Sequence, residues 1–302
     1  MGAAVVRVWS HADFAFALPA GHRYPLGKYA LLRDHALAAG HAVDVPGPIS
    51  WGALCRVHDA AFVQRMRTGA LDRRETRVLG LPWSPMLVER ARRGTLGTLH
   101  AARDALRGRR VGMMLGGGTH HAGRASARGY CLFNDLAVVT TELRREGPTR
   151  RVLVVDCDVH QGDGTAELLA GDPDAFTLSV QCERNYPFTR IASDLDVELP
   201  AGTGDDAYLA ALQGALADAQ RRFGVPDLVI YLAGADAWAG DGLGRLALTR
   251  EGLRTRDALV LDHALGLGAP VAVTLAGGYP PALADGVAIN AATLEEAAAR
   301  TR

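Results

Sequence analysis

The sequence predicts one α/β domain over residues 1–302, a single doubly wound, mostly parallel sheet flanked by helices. Apolar strand-like runs alternate with helical stretches from end to end, with no linker, repeat or low-complexity tract between them, as successive βαβ units do. Several runs are continuously aliphatic, the mark of strands buried on both faces; VLVV at 152–155 is β-branched at three of its four positions. Four of them empty into turns loaded with histidine, acid, glycine or tyrosine, at the end of an open parallel sheet where ligands lie.

Taken in order, AVVRVW at 4–9 reads as a short strand, and a helix follows over about 28–39, stopped by Gly40. HAVDVPGP at 41–48 is a second short strand ended by its prolines. A long helix runs over 84–108, with Ser84 as N-cap and Pro85 at its first position. VGMML at 111–115 is a buried strand that leads directly into GGGTHHAG at 116–123. Residues 130–147 read as a helix, followed by the strand at 152–155 and another, AFTLSVQ, at 175–181. The stretch 185–206 reads as a long loop punctuated by Pro and Gly, of a length that is commonly functional. Beyond it come a helix, the strand within DLVIYLAGAD, a helix over about 249–268, the strand PVAVTL, and a closing Ala-rich helix.

Composition narrows the class of partner. With 48% hydrophobic and 22% charged residues the chain reads as soluble and globular. Lys+Arg and Asp+Glu are both 33, so there is no basic excess for nucleic acid or an anionic membrane surface. Lys28 is the only lysine. The four cysteines, at 55, 131, 157 and 182, form no CxxC pair, which suits a reducing compartment. The start is too polar for a secretory signal and no apolar stretch is long enough to span a membrane, so the expectation is a cytoplasmic protein.

The turn after 152–155, DCDVHQGDG, carries the densest chemistry. Strand alternation puts Asp156, Asp158 and His160 on one face, with Cys157 and Val159 on the other. Two buried carboxylates beside an imidazole need a compensating cation, and this donor set accepts a zinc-like ion. His120 and His121, Asp236 and Tyr279 stand at the ends of three other strands, so all four turns face one crevice. His11, His22, His35, His41, His58, His100 and His263 have no partner at ligand spacing and read as structural or surface residues.

In this order, GGGTHHA, GYCLFND, DCDVHQGDGTA, SDLDVELPAGTGDDAYL, GADAWAGDGLGRLALT and LAGGY, together with HRYPLGKY, resemble the zinc-dependent histone deacetylase superfamily. That superfamily includes acetylpolyamine amidohydrolases and acetoin-utilisation proteins, and the resemblance is greatest to bacterial class IV-like members. It implies an arginase/deacetylase-like fold and a zinc-dependent amide hydrolase, although iron(II) suits the same donors. It makes Asp158, His160 and Asp236 the metal ligands, His121 the general base toward the attacking water and then the acid toward the amine, and His120 its electrostatic partner. Asp156 and Asp163 orient the first and second histidine, and Tyr279 donates to the substrate carbonyl. Gly129 and Tyr130 match one wall of an acyl-lysine tunnel and Tyr186 the other. Oxygens around Asp156, Asp158, His160 and Ser179 match a structural potassium site. Class IV-like members usually carry Asn at the position of Asp163; an aspartate there should raise the pKa of His121.

The substrate implied is an acyl-lysine peptide or protein, or a small acylated amine such as an acetylpolyamine. Polyamine enzymes of the superfamily usually carry insertions that narrow the tunnel, and this compact chain has no obvious one. A catalytically silent acyl-lysine binding module would have lost a ligand, the base or the tyrosine, and none is missing.

Overall fold

The computed structural model describes residues 6–147 and 149–301. The first residues of the expected amino-terminal strand, and of the stretch read for a secretory signal, lie outside them. Eight strands form one sheet: β1 (Arg7–Trp9), β2 (Ala42–Asp44), β3 (Val111–Met114), β4 (Val152–Asp156), β5 (Ala175–Cys182), β6 (Leu195–Leu199), β7 (Leu228–Leu232) and β8 (Val271–Thr274). Their spatial order is β2-β1-β3-β8-β7-β4-β5-β6 and every pairing is parallel. β3, β8, β7 and β4 are contiguous at the centre, so the four loaded turns emerge side by side at their carboxyl ends.

Alternation along each strand sorts the core into two layers. In β4, Leu153 and Val155 pack with Tyr208 and Leu212 of α8 (Asp205–Phe223) and Val260 of α9 (Arg250–Gly266). On that side lie also α1 (Lys28–Ala38) and α10 (Leu283–Ala299). Val152 and Val154 face the opposite layer, with Leu99 of α5 (Pro85–Asp104) and Leu136 of α6 (Asp135–Glu146). The alternation outlasts the strand: Cys157 and Val159 stay in the first layer while Asp156, Asp158 and His160 turn away from it. α5 begins as expected, the Ser84 hydroxyl accepting from Leu87 N–H at 3.1 Å with Pro85 at the first position. Gly112 lets α5 lie close against β3, because a Cβ there would stand 1.9 Å from the Ala101 carbonyl oxygen.

Two expectations need correction, and one stretch is added. Residues 51–79, which no regular pattern marks in the sequence, contain α2 (Trp51–Cys55), α3 (Ala60–Thr68) and α4 (Arg73–Leu79). They are short, yet each is capped, by Ser50, by Asp59, and by a capping box of Asp72 with Glu75. The helix expected from residue 130 starts instead at Asp135, since Tyr130 takes a left-handed φ of 67° and Asn134 caps at Ala137 N–H. The long loop over 185–206 contains β6, whose Leu195, Val197 and Leu199 alternate with acids as an edge strand does. α7 (Asp163–Leu169) completes the elements used below.

His58 ties the loop between β3 and α6 to the rest of the molecule. Its Nδ1–H donates to the Gly123 carbonyl at 2.9 Å and its Nε2 accepts from Asn134 N–H at 3.0 Å, so the neutral tautomer is the one that fits. Burial, reinforced by Arg124, pushes its pKa down to about 4. A folded-state pKa below the unfolded one gives stability that is complete above about pH 6.5 and lost as the pH falls toward 4, at most about 3 kcal/mol. Urea unfolding of the wild type should therefore weaken between pH 6.5 and 4, and His58→Asn should flatten that slope; parallel pH profiles would refute the assignment.

Candidate active site

The three expected ligands are together. One ligand atom from each of Asp158, His160 and Asp236 lies within 4.8 Å of the others, all three residues buried. His160 Nδ1 is 2.9 Å from Asp158 Oδ1 and 3.3 Å from Asp236 Oδ2. The remaining carboxylate oxygens are oriented by main-chain donors: Gly277 N–H on Asp158 Oδ2 at 2.8 Å and Val159 N–H on Asp236 Oδ1 at 2.9 Å. Asp236 Oδ2 makes no hydrogen bond. Gly277 is required by close approach, because a Cβ would fall 1.9 Å from Asp236 Oδ2 and 2.5 Å from Asp158 Oδ2.

The electrostatics fit a cation. Burial and the neighbouring Asp158 push Asp236 up to about 7. Although burial opposes it, the two carboxylates raise His160 to about 10, so a proton on the imidazole partly offsets their repulsion. A divalent ion would do this better and would displace that proton, and the unsatisfied Asp236 oxygen is a ready ligand atom.

Beside this group stand the paired histidines. Asp135, first residue of α6, folds the glycine turn by accepting from Gly118 N–H, Thr119 N–H and the Thr119 hydroxyl at 2.9, 2.8 and 2.7 Å. His120 Nδ1 is 2.6 Å from Asp156 Oδ2 and His121 Nδ1 is 2.7 Å from Asp163 Oδ1, the two rings 4.1 Å apart. Their environments drive them apart. Burial disfavours the charged form of both, but Asp156 and Asp158 outweigh it at His120 and lift it to about 9. At His121 burial, together with the charge of His120, prevails and the pKa falls to about 3. Asp163 acts on His121 in the expected direction, its hydrogen bond and its charge both raising the pKa, but burial and His120 outweigh it. Arg128 moderates it further, with a guanidinium nitrogen 3.1 Å from Asp163 Oδ2 and Nε donating to the His121 carbonyl at 2.8 Å.

Above the Asp158–His160–Asp236 group opens a slot of about 300 Å³, walled by Tyr130 and Tyr186 with Gly129, Leu243, Val78 and Tyr279 around it. Tyr186 stacks edge-on to His121 at 4.8 Å and Tyr130 lies 5.7 Å from the Tyr279 ring. A side chain at Gly129 would strike His121, its Cβ 2.6 Å from the imidazole. Burial and the carboxylates of Asp158 and Asp236 push the Tyr279 hydroxyl up, so it stays a donor. Asp241 sets its position, accepting from Tyr279 N–H at 2.5 Å and from Leu243 and Gly244 N–H at 2.8 Å. Ser179 lies opposite Asp156 in the β4/β5 register and its buried hydroxyl has no hydrogen-bond partner.

Asn134, Asp135, Arg128 and Asp241 are the site residues that sequence reasoning missed. The first two sit inside the FND run, where an Asn-Asp pair before an apolar helix is an N-cap signal. Arg128 gave none, since Asp163 lies 35 residues away along the chain; Asp241 closes one of the loaded turns, but its bond to Tyr279 N–H spans 38 residues.

The profile of the histone deacetylase domain matches residues 22–294. An uncharacterized protein of Picosynechococcus sp. is 40% identical over 283 residues, covering 91% of this chain and 92% of that protein. Histone deacetylase 2 of Arabidopsis thaliana is 33% identical over 232 residues, 74% of this chain and 59% of that protein. The crystal structure of the HDA15 HD domain superposes with a TM-score of 0.81 at 25% identity, over 98% of this chain and 88% of that one. By the profile match, the shared sequence and the common sheet, the chain belongs to the histone deacetylase family, whose members are amide hydrolases, and is one itself.

Proposed function

We propose that the chain, acting as one catalytic domain, is a zinc-dependent deacylase that removes acetyl or another acyl group from the side-chain amine of lysine in a peptide or protein. The observation that carries this reading is the slot: a narrow aromatic passage that suits an alkyl chain and ends on the Asp158–His160–Asp236 group with a neutral histidine beside it. Among the described residues no carboxylate lines its walls, so a polyamine's second ammonium would find no ionic partner there. That favours lysine over an acetylpolyamine.

Bound at Asp158, His160 and Asp236, zinc, or iron(II) with the same donors, would polarise the acyl carbonyl and acidify a water. His121, with Nδ1–H held by Asp163, offers Nε2 to take a proton from the attacking water. The C–N bond then breaks, and His121 returns the proton to the departing amine. His120, kept charged by Asp156, stabilises the negative charge that develops. Tyr279 donates to the carbonyl oxygen as it becomes an oxyanion. The orphaned Ser179 hydroxyl beside Asp156, with oxygens of Asp158 and His160, supports a structural potassium ion.

Zinc-loaded protein should hydrolyse an acetyl-lysine peptide faster than an acetylated polyamine, and Tyr279→Phe should lower kcat by about two orders of magnitude with KM little changed. Near-normal turnover in that variant would remove the tyrosine from the mechanism. Gly277→Ala should lose bound zinc, measured by metal analysis after dialysis, because the added carbon displaces both carboxylates; full occupancy would refute the ligand set. The acidic limb of kcat/KM should lie below about pH 5 and move lower still in Asp163→Asn, which removes the group that favours imidazolium. A limb that stays put would separate Asp163 from the base.

A further inference from the structure

Past the ligand group the slot continues inward. A hollow of about 50 Å³ borders Asp158, His160 and Tyr279 and shares Tyr24, Tyr29 and Thr119 with a second hollow of about 60 Å³ that ends on His11 and Arg90. Arg90 comes from α5 and is 3% exposed. Its Nη1 donates to the His11 and Phe14 carbonyls at 2.9 and 3.3 Å, its guanidinium lies 4.5 Å from the Tyr29 ring centre, and no carboxylate among the described residues pairs with it; Asp135, which lines the same hollow, has its oxygens taken up by Thr98, Gly118 and Thr119. Nη2 has no partner at all, and neither has Nδ1 of His11. Burial, with Arg90 alongside, keeps His11 neutral, so one of its ring nitrogens is a donor. A guanidinium buried without a counter-ion is strongly unfavourable, whereas an anion with two acceptor oxygens would satisfy both orphaned groups.

We infer that this inner cavity receives the far carboxylate of a short dicarboxylic acyl group, of succinyl or glutaryl length, while its amide carbonyl lies at the ligand group. This rests on the deacylase reading and names its substrate more closely. The reaction is unchanged: water adds to the amide carbonyl, the C–N bond breaks, the amine takes a proton, and a dicarboxylate leaves. The hollows are too small for a long aliphatic chain, and a neutral short chain leaves Arg90 unpaired.

The test is kcat/KM on one peptide carrying acetyl-, butyryl-, succinyl- or glutaryl-lysine. Succinyl or glutaryl should exceed butyryl by about tenfold or more, Arg90→Gln should erase that ratio, and Arg90→Lys should keep part of it. If Arg90→Gln does not fold, the wild-type ratio and Arg90→Lys still decide. Turnover of acetyl and butyryl without any preference for the carboxylated groups overturns the inference and leaves the deacylase reading standing. Acetate binding that depends on Arg90, without that preference, assigns the cavity to the leaving carboxylate and also overturns it. Should no peptide be cleaved, the deacylase reading fails, and calorimetric titration with glutaric acid monoamide against butyramide decides the cavity: tighter monoamide binding lost in Arg90→Gln sustains it, equal binding refutes it.

Discussion

Two carboxylates and an imidazole buried within 4.8 Å of one another are the constraint on which the rest of this molecule depends. Left alone they repel, and every surrounding feature limits that repulsion or uses it. Main-chain donors from Gly277 and Val159 fix one oxygen of each aspartate, and the absence of a side chain at Gly277 leaves room for both. Behind the loops, the wholly buried Arg256 donates to the Gly234 and Cys157 carbonyls at 2.6 and 3.3 Å, joining the ends of β7 and β4. Asp257 neutralises that arginine and is itself held by Tyr231 and Thr293. The group is therefore preorganised by its support rather than by its own attraction.

The same field sets the division of labour between the paired histidines. His120 faces Asp156 with Asp158 close by and is held charged, while His121 faces an aspartate whose charge is partly taken by Arg128, and stays neutral. Two adjacent residues of one type thus acquire opposite protonation states from the balance of burial, partner carboxylates and each other's charge. A neutral imidazole next to Asp158, His160 and Asp236 can take a proton, and a charged one cannot.

Much of the fold was legible because it depends on local pattern: continuous aliphatic runs at 111–115 and 152–155, and the Ser84-Pro85 start of α5. What escaped was the short capped helices of 51–79, the edge strand β6 and the late start of α6. Each of these is decided by a cap, a partner strand or a single left-handed residue, Tyr130, rather than by periodicity. At the site, the residues that carry chemistry were readable because their types are unusual at strand ends. Those that hold them, Arg128, Asp241 and Arg256, were not, because an arginine or aspartate in a loop or helix looks the same whether it is solvated or buried.

Strand alternation and residue type are local properties, so the α/β class, the four loaded turns and the clustering of Asp158, His160 and Asp236 could be read from the chain alone. The strand order, by contrast, is a property of the folded chain: β3, β8, β7 and β4 lie side by side, which is what brings turns separated by more than a hundred residues to one crevice. The tertiary structure also decided the charge of each histidine and the unpaired state of Arg90. Protonation and pairing depend on burial and on neighbours contributed by distant segments, and no local pattern encodes those distances.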